Sequence, residues 1–169
     1  MVIGRGTLLV GLGVVIVDQA AKHIATAILS QNSGGDPSTF NGWLSLTYIT
    51  NQGAAFGALA GSGALFILIA AAVVGMILAS AFWFRAFRPV MTVSLGLQLG
   101  GATGNLVDRV RLGYVVDFIH VKHWPVFNLA DAAIVSGALV LVWFWVTSPN
   151  TQSQDTRNTS PNSGMEIRE

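Results

Sequence analysis

The sequence predicts an all-α membrane protein with four transmembrane helices and a small β element on the outer side of the membrane. Of its 169 residues, 52% are hydrophobic and only 10% are charged, whereas soluble domains average about 25% charged residues. The chain also contains four apolar segments that approach the ~20 residues needed to cross a bilayer. These segments are residues 7–29, 64–84, 90–107 and 127–146. We therefore expect one membrane domain at residues 1–147, followed by a polar, disordered cytoplasmic tail at residues 148–169.

Composition excludes several classes of function. The formal net charge is only +1, which gives no electrostatic basis for binding nucleic acid. The chain has no cysteine, so disulfides, thiolate catalysis and cysteine-ligated zinc are excluded. We expect neither a metal nor an organic cofactor.

The first predicted span contains two charged residues, Asp18 and Lys22, inside its apolar stretch. They argue against a cleavable signal peptide. Their spacing of four residues places both side chains on one face of a helix. Charged groups inside a span are costly, so they usually have a partner or a task. From spacing alone, an ion pair that helps the span to insert and a support pair beside a functional site are equally favoured.

The polar loop after the first span predicts a small outer sheet. Residues 43–50 are rich in aromatic and β-branched side chains and partly alternate in polarity, which is typical of a strand. We expect the β element to cover residues 40–56 and to include residues 114–119. Asn51 and Gly53 follow the predicted strand, where Gly53 and the small residues after it would let another backbone come close. A turn into the second span explains this pattern equally well.

The distribution of Lys and Arg predicts the orientation of the spans. Arg5 precedes the first span, Arg85 and Arg88 lie between the second and third, and the loop at residues 30–63 has no Lys or Arg. This pattern places both termini in the cytoplasm and the first loop outside. The loop between the third and fourth spans is then also outside, against the rule, because it carries three basic residues: Arg109, Arg111 and Lys122. Four spans still require both termini on one side, and these residues are candidates for a role at a site.

The third span combines a glycine ladder with a polar end. Its glycines recur at every fourth position: Gly96, Gly100 and Gly104. Such a ladder lets a neighbouring helix approach closely, and simple helix packing is its favoured explanation. At the end of the span, Asn105, Asp108 and Arg109 fall on one helix face. Asp108 and Arg109 could pair with each other, whereas a buried Asn105 amide needs other partners.

Asp117 and Asp131 are the most informative residues of the chain. Asp117 interrupts a run of apolar and aromatic residues, where an acid is costly. Asp131 has a structural explanation, because Asn128 would cap the last helix with Asp131 at its third position, as in a capping box. Taken together, the two acids favour a catalytic dyad. One carboxyl would keep a proton and stabilise an oxyanion while the other activates water.

Two other classes of function use some of the same residues. Asp117, His120 and His123 would make a metal site if their segment were helical, but Pro125 and the β-rich composition favour a wet outer loop instead. A small transporter or channel would use Asp18, Lys22 and Asp108 as a relay. That function requires polar residues along the full membrane depth, and the second and fourth spans are almost wholly apolar.

Five motifs in this order resemble those of one family, the bacterial lipoprotein signal peptidases, also called signal peptidase II. The motifs are Asp18-Gln19-Ala20-Ala21-Lys22, Asn51-Gln52-Gly53-Ala54-Ala55-Phe56, Gly101-Ala102-Thr103-Gly104-Asn105-Leu106-Val107-Asp108-Arg109, Val115-Val116-Asp117-Phe118 and Phe127-Asn128-Leu129-Ala130-Asp131. Their order and their placement relative to the four spans also match. The resemblance covers about residues 7–147.

The resemblance implies an aspartic endopeptidase of the bacterial inner membrane, with its active site near the outer face. Such enzymes remove the signal peptide from diacylglyceryl-modified prolipoproteins by cutting just before the lipidated cysteine. Asp117 and Asp131 would be the catalytic pair. The residues that would position the dyad and the substrate are Asp18, Lys22, Asn51, Gly53, Asn105, Arg109 and Asn128. Membrane lipid and the cyclic-peptide inhibitor globomycin are implied ligands, and we expect a monomer.

Overall fold

The computed structural model describes residues 4–30, 38–40, 43–53, 63–83 and 89–148. Within them the chain forms four long helices and three strands. The helices are α1 (Arg5–Leu29), α2 (Gly63–Trp83), α3 (Pro89–Leu112) and α4 (Leu129–Thr147). The strands are β1 (Ser38–Phe40), β2 (Leu44–Asn51) and β3 (Val115–Val121). The predicted tail lies outside the described residues from position 149 onward.

All four predicted apolar segments are confirmed as helices. The largest error is at the end of the third segment, predicted at residue 107 and observed at Leu112. The prediction stopped early because the last turns of α3 are polar, and a segment chosen for apolarity ends where polar residues begin. Within the described residues, only α1 and α4 are both long and apolar enough to cross a membrane. The apolar stretch of α2, Ala64–Ser80, is shorter.

Polarity is inverted relative to a soluble protein, because charged groups are inside and apolar side chains are outside. Asp18 is completely buried and Lys22 nearly so, whereas Leu68, Leu139 and Val146 are exposed. Water would penalise this arrangement, since exposed apolar surface costs free energy. Lipid favours it, because the surrounding solvent is then itself apolar. The inversion is what a helix bundle in a membrane requires.

Helix α3 is the centre of the bundle and packs against α1, α2 and α4. The predicted glycine ladder permits its contact with α1. A Cβ added at Gly100 would lie 2.5 Å from the carbonyl oxygen of Gly11, and one at Gly104 would lie 2.7 Å from Asp18 Oδ2. On the other side of α3, a Cβ at Gly101 would overlap the carbonyl oxygen of Ala130 on α4. Backbone approach this close brings the polar ends of three helices together.

The predicted β element is a three-stranded antiparallel sheet in the order β1-β2-β3. The predicted range of residues 40–56 extends too far, since β2 ends at Asn51 and the next two residues are not strand. Residues 54–56 of the predicted element lie outside the described residues. The sheet rests on the end of α1, where Phe118 packs against Ala25 and Leu29. Side chains alternate across a strand, so the neighbouring Asp117 lies on the opposite face of β3, where it meets Asn51 and Asn128.

Candidate active site

Asp117 lies on β3 and is buried, with only 2% of its surface exposed. Both carboxylate oxygens accept a hydrogen bond from an amide side chain. Asn51 Nδ2 donates to Oδ2 at 2.9 Å, and Asn128 Nδ2 donates to Oδ1 at 2.6 Å. The β2–β3 register places Ile49 opposite Asp117, which brings Asn51, two residues further along β2, within reach. The acid that local structure could not explain is therefore held from two sides.

Asp131 lies in the first turn of α4, where it completes a capping box. Asn128 Oδ1 accepts the backbone N–H of Asp131 at 2.9 Å, and Asp131 Oδ2 accepts the backbone N–H of Asn128 at 3.3 Å. The capping interpretation of the sequence is thus confirmed. The other carboxylate oxygen, Oδ1, accepts a hydrogen bond from Asn105 Nδ2 at 2.7 Å. Asp131 is consequently a cap residue and a member of the polar cluster at the same time.

Asn128 and Asn105 connect the two aspartates. Asn128 Nδ2 contacts Asp117 Oδ1 while its Oδ1 caps the backbone of Asp131. Asn128 Nδ2 also lies 3.2 Å from Asn105 Oδ1 and 3.3 Å from the carbonyl oxygen of Val116. Asn128 is fully buried, and a buried amide with satisfied donors and acceptors has one defined orientation. The two carboxyl groups are therefore fixed relative to each other by amides that bridge β3, α3 and α4.

Beneath this pair lies a buried ionic cluster of one lysine and two aspartates. Lys22 Nζ is 2.9 Å from Asp18 Oδ2 and 2.8 Å from Asp108 Oδ2, and it donates to Asn105 Oδ1 at 2.9 Å. Asp18 Oδ1 accepts the backbone N–H of Ala130 at 2.9 Å. The predicted placement of Asp18 and Lys22 on one helix face is confirmed, since the two form an ion pair. The pair also contacts residues that hold Asp131, so it supports the cluster above it.

Asp108 has a partner that the sequence did not reveal. It pairs with Lys22 of α1 rather than with its neighbour Arg109, because adjacent helical residues do not face each other. Asp108 Oδ2 also accepts the backbone N–H of Val116 at 3.2 Å, which ties β3 to α3 one residue before Asp117. Gln19, which sequence reasoning did not select, donates to Asp108 Oδ1 at 2.8 Å. Its only signal was its position between Asp18 and Lys22 in the first motif.

Three further predicted residues form the rim of the cluster. Asn51 Oδ1 accepts the backbone N–H of Gly53 at 2.9 Å, so the two residues form a tight turn after β2. Gly53 has a φ of +86°, and a Cβ there would lie 2.8 Å from the Phe66 ring. The predicted turn is confirmed, and both its geometry and its packing require glycine. Arg109 Nη1 donates to the carbonyl oxygen of Asn105 at 3.3 Å, while its buried Nε has no partner among the described residues.

The electrostatic environment separates Asp117 from an ordinary surface carboxyl. Burial raises the pKa of the Asp117 carboxyl above its usual value, and the nearby charge of Asp131 raises it further. Hydrogen bonds from Asn51 and Asn128, together with the charge of Lys22, act in the opposite direction. The net shift is upward. A carboxyl in this setting keeps its proton to higher pH than a solvated one.

The structure does not support the two alternative sites. Asp117 and His120 lie on a strand rather than on a helix, and His120 Nδ1 is 3.1 Å from Ser45 Oγ. Across the described residues, no group of three His, Cys, Asp or Glu side chains is placed to hold a metal ion. Asp18, Lys22 and Asp108 form one compact cluster. They do not form the series of steps through the membrane that a relay needs.

The chain is similar in sequence to known proteins of one family. A family model described as signal peptidase (SPase) II matches residues 10–147. A protein from Moorella thermoacetica named lipoprotein signal peptidase is 43% identical over 136 residues, which are 80% of this chain and 89% of that protein. A protein of the same name from Pelotomaculum thermopropionicum is 42% identical over 146 residues, covering 85% of this chain and 93% of that protein.

Solved structures show the same fold. A bacterial membrane enzyme solved by the in meso method at 2.3 Å resolution superposes with a TM-score of 0.72 at 29% identity, covering 96% of this chain and 94% of that one. A second, at 1.9 Å resolution, gives a TM-score of 0.75 at 30% identity and covers 85% of this chain and 94% of that one. Both similarities extend over most of each chain.

Proposed function

Because the chain belongs to the signal peptidase II family, we propose that it is an aspartic endopeptidase that removes signal peptides from diacylglyceryl-modified prolipoproteins. The family supports a membrane protease that acts on prolipoproteins. The aspartic mechanism is supported by one observation above all. Asp117 and Asp131, from a strand and a helix, are held in one cluster by Asn128 and Asn105. A pair of carboxyls with a shared proton is sufficient to activate water for hydrolysis of a peptide bond, without a metal ion or a nucleophilic side chain.

In the proposed mechanism Asp117 carries the shared proton and Asp131 is the base. Burial raises the pKa of Asp117, and the first turn of α4 provides favourable helix-dipole interaction for the negative charge of Asp131. Asp131 removes a proton from water, and the resulting hydroxide attacks the scissile carbonyl carbon. Asp117 donates its proton to the carbonyl oxygen and so stabilises the tetrahedral intermediate. As the C–N bond breaks, the proton held by Asp131 passes to the leaving nitrogen and Asp117 recovers its own from the hydroxyl.

The surrounding polar residues position this chemistry. Asn51 and Asn128 restrict the Asp117 carboxyl from both oxygens, while Lys22 orients Asn105 through its amide oxygen. Arg109 is half-buried. Its guanidinium donates to the carbonyl oxygen of Asn105 through Nη1 and has further N–H groups for carbonyl groups of the substrate backbone. Gly53 has no side chain, so the tight turn after β2 lets the substrate backbone approach the edge of the sheet.

The proposed orientation in the membrane follows from charge distribution and from the chemistry of the substrate. All four helices span the bacterial inner membrane, with both termini in the cytoplasm and the sheet at the outer interface. A diacylglyceryl prolipoprotein then enters sideways, leaves its acyl chains in lipid and presents the bond before its modified cysteine to the dyad. Globomycin-type inhibitors would occupy the same site. The enzyme acts as a monomer, because one chain provides both aspartates and the amides that hold them.

The test is to replace each aspartate separately by asparagine and to measure cleavage of a purified diacylglyceryl prolipoprotein in micelles. Asp117→Asn and Asp131→Asn should each abolish turnover, because an amide neither activates water nor donates an acidic proton. Asp155→Asn makes the same chemical change outside the five motifs and serves as the matched control. Retention of near-normal turnover in either folded active-site variant, judged by thermal unfolding in detergent, would sink the dyad mechanism.

A further inference from the structure

An apolar groove runs along the bundle between α2, α3 and α4. It encloses a cavity of about 300 Å³. Met76 on α2 and Trp145 on α4 form part of its walls and are 61% and 69% exposed, so the groove opens to the surroundings of the bundle. The members of its lining that come from α3 are Met91, Leu95, Gln98 and Ala102. In a membrane, such a groove accommodates an apolar segment rather than water.

The groove begins directly below the polar cluster. Ile134, which lines its upper end, lies three residues after Asp131 on α4, less than one helical turn away. Along α3 the lining extends from Ala102 to Met91, which corresponds to about 16 Å at the helical rise of 1.5 Å per residue. Signal peptides have an apolar region of about 7–15 residues, or about 10–22 Å as a helix. The length and the starting point of the groove therefore match the segment that must precede the scissile bond.

One residue of the groove lining carries an amide among mostly apolar side chains. Gln98 lies near the middle of α3, and its amide lines an otherwise almost wholly apolar surface. Gln98 Nε2 donates to the carbonyl oxygen and to Oγ of Ser94 at 3.4 and 3.3 Å, and its stem packs beside Gly137. Ser94 Oγ in turn donates to the carbonyl oxygen of Gly137 at 2.6 Å. Among the described residues, nothing donates to Gln98 Oε1.

We propose that this groove receives the apolar signal segment of the substrate, and that Gln98 is a specificity-determining residue for it. This inference rests on the proposed function. Gln98 Oε1 accepts a hydrogen bond from a hydroxyl side chain of the signal segment. Polar contacts between helices within a bilayer stabilise association, since lipid offers no competing partner. Substrates with a correctly placed serine or threonine are thus bound more tightly than those with alanine there.

The structure also predicts where that hydroxyl should lie. Gln98 is seven residues before Asn105, whose amide donates to Asp131, so it lies about 10 Å below the dyad along α3. A fully extended substrate covers that distance in about three residues. A fully helical one needs about seven. The favoured serine therefore lies three to seven residues before the cut.

The first experiment identifies what occupies the groove. A photo-crosslinking amino acid is placed at Leu141, which lines the groove, in the Asp117→Asn enzyme so that bound substrate is not cleaved. The matched control carries it at Leu139, which is exposed on another face of the same helix. We expect crosslinks from position 141 to the signal segment and few from position 139. Crosslinks to lipid alone, or equal substrate crosslinks from both positions, would overturn the proposal.

The second experiment tests Gln98 itself. A serine is placed in turn at each of positions three to seven before the cut in an otherwise alanine- and leucine-based signal segment, and KM and kcat are measured separately. At one position the wild type should show a KM about 3- to 20-fold lower than for alanine, the range for one hydrogen bond between helices in a membrane. The kcat should change little, because the contact is present before and during the chemical step.

In Gln98→Leu this preference should disappear, while thermal unfolding in detergent shows that the variant is folded. If the wild type cleaves every substrate with equal KM, or if Gln98→Leu keeps the preference, the assignment of Gln98 is overturned and the proposed function still stands. If the wild type cleaves none of the substrates, the proposed function itself fails and the inference fails with it.

Discussion

Asn128→Ser separates two tasks that one side chain performs. Asn128 caps α4 through its Oδ1 and holds Asp117 through its Nδ2. Serine is as good an N-cap as asparagine, so the helix start should survive. Its short hydroxyl does not span the distance to Asp117, so the 2.6 Å hydrogen bond is lost. The variant therefore removes one restraint on the Asp117 carboxyl, the proposed catalytic acid, and keeps the cap.

The expected loss follows from the strength of that bond. Asp117 gives up its proton in the proposed transition state, so Asn128 then donates to a charged carboxylate. Such a hydrogen bond contributes about 1.5–3 kcal/mol, and its loss corresponds to a drop of roughly 10- to 150-fold in kcat/KM. Asn128→Ala removes the cap as well, and it should unfold more easily than Asn128→Ser by about 0.5–2 kcal/mol. Comparison of the two variants thus measures the cap and the restraint separately.

The same variant makes a prediction about pH. The hydrogen bond from Asn128 lowers the pKa of Asp117, against the larger upward effect of burial. Its removal therefore raises the pKa of Asp117 further, and Asp117 keeps the shared proton to higher pH. The alkaline limb of the kcat/KM profile, which reports loss of that proton, should move to higher pH in Asn128→Ser. A kcat/KM within about threefold of wild type, or a limb that moves to lower pH, would refute the reasoning.

Three further predictions follow from the buried cluster and the helix contacts. Lys22→Met leaves two buried carboxylates without their cation and should cost about 3–5 kcal/mol of folding free energy. Asp108→Asn leaves one lysine paired with one aspartate and should cost only about 1–2 kcal/mol. Unfolding in detergent measures both costs, and equal values would contradict the charge argument. Gly101→Ala should destabilise by about 1–3 kcal/mol because its methyl group overlaps the α4 backbone, while Gly13→Ala, with no described atom within 4 Å of the added methyl, should gain up to about 1 kcal/mol. Dialysis against a chelator and the variant His120→Ala should both leave kcat unchanged; loss of activity in both would favour a metal mechanism instead.

Much of this fold was predictable because its signals are local. A run of about 20 apolar residues has few alternatives to a helix in a membrane, which explains why four helices were found near their predicted positions. Strand β2 was predicted from its alternation and its β-branched residues. The capping box of Asn128 and Asp131 was predictable as well, since its donor and acceptor are three residues apart on one turn.

The partners of the charged residues were not predictable in the same way. Asp108 had a plausible partner next to it in Arg109, but the helix directs these neighbours apart, and Lys22 reaches Asp108 from another helix. Gln19 gave no signal beyond its position, because an amide in a span gains a role only when another helix supplies an acceptor. The role of Gly101 depended on which carbonyl of α4 lies against it. Each of these pairings spans more than 20 residues of sequence.

The sequence by itself determined the class of protein, the four helices, and the two aspartates as the centre of a polar site. It did so because an acid in an apolar environment is costly wherever the chain folds, so Asp117 needed an explanation before any contact was known. Only the tertiary structure decided what that explanation is. The close approach of α1 and α4 to α3 brings Asn105, Asn128 and the Lys22 cluster together around Asp131. The pairing of β2 with β3 brings Asn51 to Asp117. Contacts of this kind depend on the packing of distant segments, which no local pattern specifies.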